Sequence, residues 1–135
     1  MASAFCNAGK KALFDNVSAH TWKAALYTSA ASLDATTAAY SATNELASSG
    51  GYTAGGLTLS GVATGSDAGG AWITFANATW ASATFTGARY MLIYDSSDAN
   101  RAYAVIDFGS DKAGQGGNFT YVMPATGSST AIIRL

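Results

Sequence analysis

The chain has 135 residues, a formal net charge of −1 and 11% charged side chains, against roughly 25% charged in an ordinary soluble domain. That length fits one domain with a single core. The basic residues are scattered apart from Lys10 and Lys11, which excludes the basic stripe that nucleic-acid binding needs, and the apolar runs are far too short to span a bilayer.

Taken in chain order, the first segment, "MASAFCNAGKKALF", carries its lysines in the middle with no apolar core behind them, unlike a secretory signal. Residues 3–16 are the one predicted helix, of one or two turns, because Phe5, Ala8, Ala12 and Phe14 share a face only loosely and Gly9 interrupts it. The lone cysteine, Cys6, has no partner for an internal disulfide or a metal-ligand pair. It is expected to be an inert buried thiol, with a crosslink to another subunit as the alternative, and synthesis in a reducing cytoplasm fits this cysteine usage. "WKAALY" then alternates with period two, which predicts a strand with one wet face. Residues 29–56 form a long Ala/Ser/Thr/Gly tract ending in two glycine pairs. A loop of that length is either a flexible excursion or a functional segment ordered by a partner.

From Leu57 onward the pattern is a succession of short strands. "LTLSGVATG", "AWITFANATW", "SATFTGARYMLIYD" split at Gly87, "RAYAVIDFG", "NFTYVMP" and "TAIIRL" are separated by Gly- and Asp-rich turns. Seven or eight such strands predict an all-β protein, an antiparallel β-sandwich of jelly-roll kind with a short N-terminal helix. The expected organisation is an N-terminal arm over residues 1–20 and a single β-sandwich domain over 21–135, with the long loop at 29–56.

Half of the chain's eight acidic residues, Asp95, Asp98, Asp107 and Asp111, fall within "RYMLIYDSSDANRAYAVIDFGSD". "DSSDANR" is predicted to be a hairpin connection of about five to seven residues, where Asp, Ser and Asn bond nearby backbone. Asp111 is assigned to the following turn, and Asp107 to a strand face, pointing to solvent or paired with Arg89 or Arg101. Turn carboxylates of this kind are expected to be solvated and to titrate normally. "DSSDAN" lacks the glycine and glutamate of a calcium loop. A glycosidase pair would need a carboxylic acid in an apolar pocket. A nucleophilic triad would have to recruit His20, which stands at a strand start, and no G-x-S-x-G occurs. No catalytic residue, metal ligand or cofactor site is predicted. Trp72, Trp80 and Tyr90 could form an aromatic sugar platform, although strand aromatics more often fill the core.

Three groups of strings, "WKAALYTSAASL", "NELASSGGYTAGGLTL" and "LIYDSSDANRAYAVIDFGSDKAGQGGNFTYVMP" with the closing "AIIRL", resemble a family of small tailed-phage virion proteins. The likeness covers residues 20–135. It implies a non-enzymatic structural protein of the virion, made in the host cytoplasm, and most readily a capsid decoration or cement protein. Such a protein sits as a dimer or trimer across joints of the major capsid protein. A neck, tail or fibre component and a carbohydrate-binding module are the alternatives. A charge-poor surface suits a protein whose work is contact, since interface cores are depleted of charge and enriched in tyrosine. The candidate partner contacts are Tyr40, Asn44, Glu45 and Tyr52. The tract that holds them is expected to be dispensable for the core, so that deleting residues 36–50 would leave a folded domain.

Overall fold

The computed structural model of the protein describes residues 3–14 and 17–135. Helix α1 (Asn7–Ala12) and a 3-10 turn at Val17–Ala19 precede the strands β1 (Trp22–Tyr27), β2 (Leu57–Thr58), β3 (Ala63–Asp67), β4 (Gly70–Thr74), β5 (Ala78–Trp80), β6 (Ala88–Asp95), β7 (Arg101–Lys112), β8 (Phe119–Tyr121) and β9 (Ile133–Arg134). The strands form a four-stranded sheet in the order β2-β1-β6-β7, a three-stranded sheet β3-β4-β9 and a β5-β8 pair. Each pairing is antiparallel. The protein is therefore all-β with one short helix among the described residues, as the strand-like periodicity predicts.

One core draws on all three sheets. Trp22, Ala24 and Leu26 of β1 and Met91 and Ile93 of β6 pack with Ile73 of β4, Trp80 of β5 and Ile133 of β9. The β1–β6 register pairs Ala24 with Ile93 and Leu26 with Met91, so these residues fall on the same face, as alternation along a strand requires. Each large side chain buried this way stabilises the fold by roughly 1.5–3 kcal/mol.

The opposite face of this sheet is also covered, which corrects the expectation of a wet side. Of the six residues of β1, only Lys23 is not buried. Ala25, Tyr27, Leu92 and Tyr94 form a second cluster with Ala31, and Leu33 and Tyr40 pack against it. The covering residues come from the 29–56 tract, and Leu46 and Tyr52 of the same tract enter the main core. The tract is thus a layer of the molecule rather than a dispensable loop. The alternation of Trp22, Ala24 and Leu26 with Lys23, Ala25 and Tyr27 suggested one wet face, but alanine and tyrosine fit a covered face as well as an open one.

Several sequence runs divide between sheets. "LTLSGVATG" contributes β2 to one sheet and β3 to another, and "AWITFANATW" splits into β4 and β5. β6 begins directly after Gly87, which has a φ of 76°, but residues 82–87 before it form no strand, so the expected strand piece on that side is absent. β7 runs to Lys112, so Asp111 lies in a strand and not in the following turn. Between Tyr90 opposite Asp107 and Ala88 opposite Lys112, β7 carries extra residues, and Gly109 at φ 78° sits in that bulge.

The helix is shorter than residues 3–16, and residues 15 and 16 of that expected span lie outside the described residues. Without a buried residue of its own, α1 lies against β3 and β4, where Asn7 Nδ2 donates to the carbonyls of Asp67 (2.8 Å) and Ala68 (3.0 Å). Cys6 is exposed at the start of this helix, contrary to the expected buried thiol, because the segment lies on the surface rather than in the core. Among the described residues no helix is long and apolar enough to cross a membrane.

Candidate functional site

Tyr40, Glu45 and Tyr52, picked out from the sequence as contact residues, meet in the structure. The Tyr40 hydroxyl donates to Glu45 Oε1 at 2.5 Å, and the Tyr52 hydroxyl donates to Glu45 Oε2 at 2.5 Å. The Gly55 N–H donates to the same Oε2 at 2.7 Å. Tyr52 is 3% exposed, and its oxygen also accepts the Leu26 N–H of β1 at 2.9 Å. Two tyrosines of the sheet complete the arrangement. Tyr27 donates to the Ser41 carbonyl at 2.7 Å, and Tyr94 donates to the Gly55 carbonyl at 2.5 Å. Tyr40 stacks on Tyr94 with centroids 4.7 Å apart.

Burial first, and the neighbouring Glu45 carboxyl second, push the Tyr40 and Tyr52 phenols above their ordinary range, so both stay protonated and serve as donors. Every polar atom of this cluster named above is used within the chain. The arrangement works as a clasp that fastens the tract to β1 and β6.

Asn44 lies beside the clasp and does different work. Its φ of 63° places it in the left-handed region, which Asn tolerates better than most residues. Its side-chain Nδ2 donates to the Ala30 carbonyl at 3.2 Å, and its own carbonyl accepts the Thr28 N–H at 2.9 Å. Next to it the Leu46 N–H reaches the Leu26 carbonyl at 3.0 Å. Gly56 shows how close the tract comes to β1. At φ 94° it rests on the Ala24 carbonyl, where a Cβ would collide with backbone.

The acidic stretch resolves into separate contacts. Asp107 pairs with Arg89 (3.1 Å) and Asp98 with Arg101 (2.9 Å), both on the surface. Asp95 departs from the expected solvated turn residue, since it is fully buried. It accepts a hydrogen bond from His20 Nδ1 on one oxygen, and from the Ser97 hydroxyl (2.6 Å) and N–H (3.0 Å) on the other. Burial pushes this carboxyl up, but the bonds from Ser97 and His20 outweigh it and hold Asp95 below the usual carboxylate range. The sequence signal was weak, because only the register that pairs Trp22 with Asp95 brings His20 to it.

A histidine oriented by a carboxylate is half of a hydrolytic triad. Here Ser97 bonds the carboxylate and accepts the Thr21 N–H at 3.1 Å, whereas a nucleophile would have to sit on the far nitrogen of the imidazole. The three residues tie the start of β1 to the β6–β7 turn. Among the described residues no group of three or more His, Cys, Asp or Glu side chains is placed to hold a metal ion. Trp80 is 2% exposed and packs edge-on against Phe119, so it belongs to the core and not to a surface sugar platform.

No family model, curated protein or solved structure matches this chain.

Proposed function

We propose that the protein is a non-enzymatic structural component of a tailed-phage virion, most directly a capsid decoration protein that binds across subunits of the major capsid protein. In this proposal the three sheets form a β-sandwich of jelly-roll kind. The observation that carries it is the likeness of residues 20–135 to small virion proteins, joined to a chain in which only 11% of the residues are charged. Two features of the structure support a contact role. The long 29–56 tract is held flat on the sheet by the Glu45 clasp, and apolar side chains stand out elsewhere, with Val122 at 68%, Leu13 at 66% and Phe5 at 55% exposure. Exposed apolar groups in a charge-poor surface are what an assembling protein uses to bury area against a neighbour.

Because Tyr40, Glu45 and Tyr52 spend their polar atoms on each other, the tract is proposed to contact the capsid through its outer Ser and Thr backbone, with the clasp setting its shape. The test is a titration of purified protein onto heads that lack it, read by sedimentation and cryo-EM. Saturable binding at hundreds of copies on the capsid lattice is expected. Binding at a dozen or fewer copies would assign the protein to the neck or tail, and no binding to heads or tails would overturn a virion role.

A further inference from the structure

We infer that two copies of the chain pair through the outer edge of β7, antiparallel about a two-fold axis at Val105. β7 is the last strand of its sheet, with β6 on one side only. The start of its outer edge is already occupied. Ala102 donates to the Ala38 carbonyl (3.0 Å), Tyr40 donates to the Asn100 carbonyl (2.9 Å), and Ala39 bridges to Arg101. The far end is closed by the bulge, where Gly109 turns to φ 78° and its N–H is taken by the Asp107 carboxylate at 2.8 Å. Between them residues 103–107 have no backbone partner on the outer side among the described residues.

This open stretch is unlike a guarded edge. Natural edge strands are blunted by charges, proline or bulges, and here those devices sit only at the ends. Residues 102–106 are Ala, Tyr, Ala, Val and Ile. A cleft of about 520 Å³ runs alongside, walled by Leu33, Asp34 and Thr37 of the tract and by Tyr90, Val105 and Asp107 of the sheet. It continues the line in which the 38–40 segment already pairs with β7.

A second copy fits this edge by symmetry and by charge. A two-fold pairing that uses all of residues 103–107 must centre on their midpoint, Val105. It sets Val105 opposite Val105, Ala104 opposite Ile106 and Tyr103 opposite Asp107, so no like charges face one another. The pairing stops at these five residues, because the 38–40 segment holds the positions facing 100–102 and the Gly109 bulge carries each strand away beyond Asp107. The contact is isologous, so it closes at a dimer. It goes beyond the virion role proposed above and stands apart from it, because the dimer is a property of the purified protein and the capsid titration is not affected by its failure.

The test is light scattering on Val105→Lys and Val105→Glu, alone and mixed, with circular dichroism to confirm the fold. The wild-type protein is expected at twice the monomer mass. Each variant alone should lose the dimer, since like charges would meet at the axis, and mixing the two should restore it. Val105→Cys in a Cys6→Ser background should crosslink to a dimer on oxidation, because facing residues of an antiparallel pair lie within disulfide reach. A wild-type monomer, a trimer, or a dimer that survives Val105→Lys and fails to crosslink through residue 105 would overturn the inference and leave the edge to a strand from another protein.

Discussion

Residues 29–56 and the β6–β7 hairpin both add to β1, yet they are ordered by different groups. The hairpin is held by its own backbone ladder, from Asp95 opposite Arg101 to Ala88 opposite Lys112, closed by a turn in which Ala99 and Asn100 take positive φ. The tract makes only isolated bridges to other segments, at Tyr27 with Glu45 and at Ala39 with Arg101. Its order comes from scattered backbone bonds such as Leu46 N–H to the Leu26 carbonyl, together with tyrosine hydroxyls converging on one carboxyl and rings laid on the sheet. A segment without strands can therefore be a fixed layer when long-range side-chain bonds and a few single backbone bonds replace the ladder. Such a layer is sensitive to single atoms in a way that a ladder is not.

The largest effect expected from breaking this difference is deletion of residues 36–50. It removes Tyr40, Glu45 and Leu46 and uncovers Tyr27, Leu92 and Tyr94, a loss comparable to the whole stability of about 5–15 kcal/mol that a small domain has. Cooperative thermal unfolding should disappear, and a deletion variant that melts like the wild type would return the tract to the status of a loop. Next in size is Tyr52→Phe, which takes away both the donor to Glu45 and the acceptor of the Leu26 N–H. Leaving a buried N–H unsatisfied costs about 1–3 kcal/mol, to be read from urea denaturation.

Within the hairpin the expected effects are smaller. Asp95→Asn should cost about 1–2 kcal/mol through the bonds lost from His20 and Ser97. It should also change the response to acid. The folded carboxyl of Asp95 lies below its ordinary value, so the folded state holds the proton less readily than the unfolded chain. Its contribution is complete above the ordinary carboxylate range and is lost as pH falls through the folded value. Denaturation curves of wild type and Asp95→Asn should therefore converge on acidification. Asp98→Asn should leave the melting temperature unchanged within error, because its pairing with Arg101 is on the surface.

The hairpin was legible in the sequence because its signals are local. Period-two alternation and the turn residues of "DSSDANR" act over a few positions and place the hairpin, with its outermost Asp95 and Arg101 taken into the strands, whereas the strand piece expected before Gly87 is absent. The tract was not legible for the opposite reason. Tyr27 and Tyr94, which help to fasten it, lie outside it, and neither composition nor spacing says that β1 will pair with β6 and bring them together. The same gap hid the His20–Asp95 contact, since a one-residue change of register would have turned those side chains to different faces. Tyr40, Glu45 and Tyr52 stood out as a group, but an alanine- and serine-rich context suggested an outward role. Burial of Tyr52 against Leu26 is a tertiary fact.

Hydrogen exchange on the purified protein tests most directly whether the chain itself holds the tract in place. The N–H of Leu46, bonded to Leu26, and that of Gly55, bonded to Glu45, should exchange with protection close to that of the β1–β6 ladder. Exchange of these amides at the rate of an open loop, while the ladder stays protected, would contradict the account.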